Sequence, residues 1–124
     1  MANELILIVE DNEKNLKLVR DTLTVKGYRT IEATTGEEGI RLAQTERPAL
    51  ILMDIQLPGI DGITALGRLR AEPMTRAIPV IAVTASVMTE DRQKIMAAGF
   101  DGYQSKPINV KDFLAAVREM LDRT

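Results

Sequence analysis

Five short apolar runs divide the chain, at residues 5–9, 28–33, 49–53, 80–83 and, more weakly, 102–104. Four are rich in Ile, Val and Leu and do not alternate with polar residues. A strand with one face in water alternates, so these runs predict strands of a parallel sheet buried on both faces. Helical patterns fill the intervals. Residues 12–26 place Leu16, Val19 and Leu23 on one face, and Gly27 supplies a stop. Thr35-Gly36-Glu37-Glu38 reads as a capping box opening a second helix. Asp61 caps a third that carries Ile63, Leu66 and Leu69. A fourth spans about 88–98, from Met88 to the stop at Gly99. In the last, Val110, Phe113, Leu114, Val117, Met120 and Leu121 form one stripe, capped by Asn109.

A strand followed by a helix, five times over, leaves little topological choice. Crossovers between parallel strands are right-handed, and helices must cover both faces of the sheet. The pattern predicts a single-domain, doubly wound (βα)5 fold of the flavodoxin-like kind over residues 1–124. Its five-stranded parallel sheet has the order 2-1-3-4-5, with the terse fifth strand at an edge.

In such a sheet, ligands bind beyond the carboxyl ends of the strands, at the switch point between strands 1 and 3. Strand 1 runs into Glu10 and Asp11, and strand 3 runs into Asp54. Three carboxylates crowded together repel one another unless a cation joins them. Oxygen ligands of this kind suit a hard divalent ion, and Mg2+ is the best candidate. Taken singly, each acid has an ordinary alternative: Asp11 as the cap of helix 1, Glu10 as a solvated side chain, Asp54 as a loop acid. Thr84 ends strand 4 and Lys106 ends strand 5, so a hydroxyl and a cation face the same edge. Their ordinary alternatives are a turn hydroxyl and a surface ammonium. Together the five residues form a set that neutralises charge on a phosphoryl group.

Composition narrows the field further. With 45% hydrophobic and 27% charged residues the chain can bury a core, but only 3% is aromatic, so that core is aliphatic. The net charge of −2 argues against a nucleic-acid surface. No cysteine is present to form a disulfide or a thiolate metal site, and no histidine to serve as general base or to carry a phosphoryl group itself. No stretch reads as a secretory leader or membrane span, which predicts a soluble, cytoplasmic protein. There is no G-x-x-x-x-G-K-S/T phosphate loop. The loop after strand 1, Glu10-Asp11-Asn12-Glu13, would repel a nucleotide phosphate. A dehalogenase-type phosphatase would want a second acid two residues beyond Asp54, where Gln56 stands.

The segments LIVEDN, LILMDIQLPGIDG, PVIAVTA and YQSKP, in this order and spacing, resemble the receiver domains of bacterial two-component response regulators. The likeness runs through essentially the whole chain. It implies that Glu10 and Asp11 are an acidic metal pair and that Asp54 is the phosphoacceptor. Gln56 would offer a backbone carbonyl to Mg2+. Thr84 and Lys106 would contact the phosphoryl group, with Ala85 leaving room beside it. Tyr103 matches the switch aromatic, against its ordinary reading as packing for an edge strand. The Lys106–Pro107 bond is expected to be cis. Gln56 and Ser86 stand at variable positions that leave the dephosphorylation rate open. EDNEKN with MDIQLPGIDG further resembles single-domain regulators of the DivK-like kind and receivers of hybrid kinases.

The resulting expectation is a stand-alone phosphorylation switch. Its phosphoryl donor is a histidine kinase or a histidine phosphotransfer protein, and its output is contact with a downstream protein. It is not an enzyme in the usual sense, although it assists its own phosphorylation and dephosphorylation. The output surface is expected around strand 4, helix 4, strand 5 and helix 5, carrying Met88, Glu90, Asp91, Arg92, Lys94 and Lys111. Two alternatives stand beside this: a receiver excised from a hybrid kinase or DNA-binding regulator, and a scaffold that works without phosphorylation.

Overall fold

The computed structural model describes residues 3–85 and 89–123, without the side chains of 89–91. Ser86 and Met88 therefore lie outside the described residues, as do the side chains of Glu90 and Asp91. The strands are β1 (Leu5–Val9), β2 (Arg29–Ala33), β3 (Leu50–Asp54), β4 (Val80–Thr84) and β5 (Gly102–Ser105). The helices are α1 (Glu13–Val25), α2 (Gly36–Glu46), α3 (Gly62–Ala71), α4 (Thr89–Ala97) and α5 (Val110–Asp122). All strand pairs are parallel and the order is β2-β1-β3-β4-β5, as the alternation of elements predicts.

Local chemistry starts the helices where expected. Asn12, Asp61 and Asn109 each accept a bond from the backbone N–H three residues on, at 3.0, 2.7 and 3.1 Å. Thr35 caps α2 by accepting from the Glu38 N–H at 3.1 Å. The returning bond of this capping box goes one residue further back than the usual pattern, from the Thr34 N–H to Glu38 Oε1. Gly27 and Gly99 follow α1 and α4 with φ of 90° and 110°, where a side chain would be strained. α2 instead ends on Arg47 at φ 47°, a stop the sequence does not announce.

The sheet separates two apolar layers because side chains alternate along each strand. Ile6, Ile8, Leu50, Leu52, Ile81 and Val83 face α1 and α5, and Leu7, Val9, Ile51, Met53, Val80 and Ala82 face α2, α3 and α4. β1, β3 and β4 are buried on both faces as expected. β2 is not: Arg29 is exposed and Thr30, Ile31 and Glu32 are half-buried. It is an edge strand with one neighbour, and Glu32 is held at the surface by Arg20 at 2.8 Å. Tyr28, expected within this strand, is buried in the layer beneath α1 and α5. The α5 stripe holds except at Val110, the helix's first residue, which is 45% exposed because it precedes the turn that meets the sheet.

A connection that the sequence pattern does not reveal locks the far end of the sheet. The Arg70 guanidinium donates to the carbonyls of Arg76 and Ile78 and meets Asp101 Oδ2 at 2.7 Å. Asp101 also accepts from the Val80 N–H at 2.8 Å. α3 is thereby tied to the starts of β4 and β5.

α3 also approaches the end of β3 closely, and this sets up a contrast between two glycines. A Cβ on Gly62 would overlap the Asp54 carbonyl oxygen and lie 2.9 Å from Ile55 Cα, whereas one on Gly67 would meet nothing within 4 Å. Gly62→Ala should lose roughly 1–3 kcal/mol of stability through overpacking. Gly67→Ala, in an exposed helix interior, should gain up to about 1 kcal/mol. Urea unfolding of the two variants beside the parent reads both signs.

Candidate functional site

The parallel register puts the acids side by side. Val9 pairs with Met53, so the next residues, Glu10 and Asp54, leave neighbouring strands at the same level. Glu10 extends the ladder by one bond, from its N–H to the Ala33 carbonyl at 3.0 Å. Its side chain is buried, with Oε2 accepting from the Asn12 N–H at 3.1 Å. Asp54, the last residue of β3, is also buried, and its Oδ1 accepts from the Gln56 N–H at 3.2 Å. Asp11 is exposed. It does not cap α1, because Asn12 does, so its carboxylate remains available to the cluster. One oxygen from each of Glu10, Asp11 and Asp54 lies within 4.8 Å of the others.

Lys106 reaches this cluster from the end of β5. Its Nζ is 2.6 Å from Glu10 Oε1 and 3.0 Å from Asp54 Oδ2, with 15% of the side chain exposed. It is therefore no surface ammonium. Its backbone N–H donates to the Thr84 carbonyl at 2.8 Å, which fixes the ends of β4 and β5 together. The Lys106–Pro107 bond is cis. Thr84 is buried at the end of β4, one residue beyond the Val83 that pairs with Asp54. Ala85 and Gln56 are exposed at the rim. Tyr103 sits further down β5, half-buried, with the Arg92 guanidinium carbon 5.1 Å from its ring centre.

The electrostatics are those of a site short of positive charge. Burial pushes the Glu10 carboxyl up to about 7; the bond from Lys106 opposes this and the neighbouring Asp54 reinforces it. Burial also disfavours the charged Lys106, but the hydrogen bonds to Glu10 and then Asp54 outweigh it and hold that pKa above the ordinary lysine value. One ammonium thus faces three carboxylates. The donors are all oxygen, and exposed Asp11 leaves one side of the cluster open to water. Such a set fits a hard divalent cation that keeps part of its hydration.

Of the residues singled out from the sequence, Glu10, Asp11, Asp54 and Lys106 are brought into one cluster. Gln56 joins it through its N–H to Asp54. Sequence reasoning passed over Gly62, which lets α3 close against the Asp54 backbone. It also saw Arg92 only as one charge on a surface; its contact with Tyr103 joins residues eleven positions apart on different elements and follows no periodic pattern.

Comparison with known proteins agrees with this geometry. Residues 6–118 match the family model described as the response regulator receiver domain. Over 116 residues, 94% of each chain, the sequence is 46% identical to the polar-differentiation response regulator DivK of Brucella anthropi. A crystal structure of a putative response regulator from Chloroflexus aurantiacus superposes with a TM-score of 0.93 at 28% identity, covering 97% of this chain and 98% of that one. The receiver domain of a Pseudomonas aeruginosa sensor histidine kinase, which has a magnesium ion coordinated in its active-site cleft, superposes with a TM-score of 0.90 at 32% identity, covering 97% and 98%. The chain is a DivK-like member of the response regulator receiver domain family.

Proposed function

We propose that residues 1–124 form a single receiver domain that accepts a phosphoryl group on Asp54 and thereby switches a protein-binding surface. The observation that carries this reading is Lys106 Nζ held between Glu10 and Asp54, at 2.6 and 3.0 Å, inside a cluster of three carboxylates. A buried ion pair is not needed to hold such a core together, since apolar residues of similar volume often serve as well. Its presence at the open end of a parallel sheet supports a chemical role.

The Asp54 carboxylate is the nucleophile. One of its oxygens forms the new P–O bond while the P–N bond of a phosphohistidine breaks and returns its electron pair to the imidazole. An ionised aspartate needs no general base for this, which suits a chain with no histidine. The donor is a histidine kinase or a histidine phosphotransfer protein. Lys106 and Thr84 face the transferred group and hold its oxygens, and Ala85 keeps the approach to them open. Glu10, Asp11, Asp54 and the Gln56 carbonyl would hold Mg2+. When bound, the ion supplies charge neutralisation to the phosphoryl oxygens.

Output leaves through the face made by β4, α4, β5 and α5. Phosphorylation adds roughly two negative charges beside Thr84 and Lys106. Thr84 moves toward them, and Tyr103 turns into the space behind β4. A downstream protein then binds the altered face. A scaffold would have no use for Asp54 and Lys106 in contact. We place the switch in the cytoplasm with its kinase; among the described residues no helix is long and apolar enough to cross a membrane.

Two outcomes test this reading. Incubation with acetyl phosphate and Mg2+ should add one phosphoryl group by intact mass; EDTA should abolish the addition, and Asp54→Asn should show none. Efficient labelling of Asp54→Asn contradicts the assignment. Lys106→Ala should still take up Mg2+ yet respond poorly, because loss of a charge-assisted contact to the phosphoryl oxygen costs roughly 1.5–3 kcal/mol. Phosphorylation rates and an activated conformation equal to those of the parent would remove Lys106 from the mechanism.

A further inference from the structure

Among the described side chains of α4, residues 92–97, Ile95 alone is buried, whereas α1, α3 and α5 each bury three or more. One turn before Ile95, Arg92 lies over the Tyr103 ring at 5.1 Å. The electron-rich face of an aromatic ring attracts a cation at this range. Tyr103 also packs against the apolar layer beneath α2, α3 and α4. The ring is thus held between the core on one side and a guanidinium on the other. Arg92 of α4 and Asp112 of α5 line one cleft together with Tyr103, Gln104 and Ser105 of β5. Among the described residues neither Arg92 nor Asp112 makes an ion pair through its side chain.

We propose that Arg92 is a positioning residue for the switch: its cation holds the Tyr103 ring at the surface, and it transfers to the Asp112 carboxylate when the ring withdraws. The inference rests on the reading above that Tyr103 moves on phosphorylation. The Arg92–Tyr103 contact is made with the half-buried ring where it stands, so on this reading it favours the form from which the ring withdraws. An Arg92–Asp112 pair would form across a cleft that the ring no longer fills, so it favours the active form. The same side chain therefore makes different contacts in the two states, which is what a ligand-biased equilibrium requires. The exchange also carries the ring's position to Arg92 on α4.

Amide and aromatic NMR spectra of the parent, Arg92→Gln, Arg92→Lys and Asp112→Asn, each with and without the phosphoryl mimic beryllofluoride, test the exchange. The parent's two spectra define the axis from resting to active. Without the mimic, Arg92→Gln keeps most of the stem but no charge, and its resonances at 92–97 and 103–105 should lie further along the axis. The active-to-resting ratio should rise roughly two- to five-fold, as expected for an exposed cation–π contact. Arg92→Lys retains a cation and should stay near the parent. Asp112→Asn should fall short of the parent's end point when the mimic is bound. Thermal melts identify any variant whose fold is disturbed, and all comparisons are made below those melting temperatures. If Arg92→Gln coincides with the parent, or Arg92→Lys moves as far as Arg92→Gln, the latch is overturned. An unchanged Asp112→Asn end point overturns the transfer. If beryllofluoride leaves residues 84–85 and 103–105 of the parent unmoved, the switch reading itself fails and the inference with it. A full parent response with an inert Arg92→Gln sinks the inference alone.

Discussion

Lys106 bridges two buried carboxylates across the open end of the sheet, and the remainder of the structure is arranged around that contact. Glu10 and Asp54 can meet only because β1 and β3 are parallel neighbours with Val9 opposite Met53. Lys106 can reach them only because β5 ends at the same edge, tied to Thr84 by a backbone bond. The pair is under-compensated by design of the sequence: Asp11 adds a third carboxylate and the described residues add no second ammonium to the cluster. A site left short of positive charge favours whatever cation completes it. Burial, reinforced by the neighbouring Asp54, makes Glu10 resist ionisation, while its bonds to Glu10 and Asp54 let Lys106 keep its proton.

The fold supplies the rigidity that such a site needs. Asp54 ends a strand whose five residues are all buried, and α3 closes against its carbonyl through Gly62. Val9, next to Glu10, is covered by α2 at Gly39, where a Cβ would come within 2.8 Å of it. Glu10 and Asp54 are therefore backed by close-packed strands, whereas Asp11 stands exposed in the connection to α1. The packing differs beside β5. Among the described side chains of α4, residues 92–97, Ile95 alone is buried, and the Tyr103 ring is half-buried, so this side of the molecule is less tightly packed than the acidic end.

Much of this was legible in the sequence. Runs such as LILMD and VIAVT have the pattern of strands buried on both faces, and the caps at Asn12, Thr35, Asp61 and Asn109 are local enough to read from spacing. Convergence of Glu10, Asp11, Asp54, Thr84 and Lys106 on one edge followed from topology, because each ends, or follows, a predicted strand. What stayed hidden depends on distant partners. The exposure of β2 reflects its edge position and the Arg20–Glu32 pair. The Arg70–Asp101 tie links residues far apart in the chain, and nothing local distinguishes either from an ordinary surface charge. Asp11 could be freed from its capping role only once Asn12 was seen to take it.

The central claim is that the acidic cluster is a divalent cation site, and Asp11 offers the most direct test because it is exposed and can be changed without disturbing the core. The measurement is the melting temperature of the parent and of Asp11→Asn during a Mg2+ titration at constant ionic strength. A ligand that binds the folded state raises stability by RT ln(1 + [L]/Kd), about 2.7 kcal/mol at a hundredfold excess over Kd. The account predicts a progressive rise for the parent and a much smaller one for Asp11→Asn, with a flat K+ control curve for each protein. A flat parent curve at ~10 mM Mg2+, far above the Kd of a functional site in the range the linkage relation detects, would contradict it, as would identical rises in both proteins.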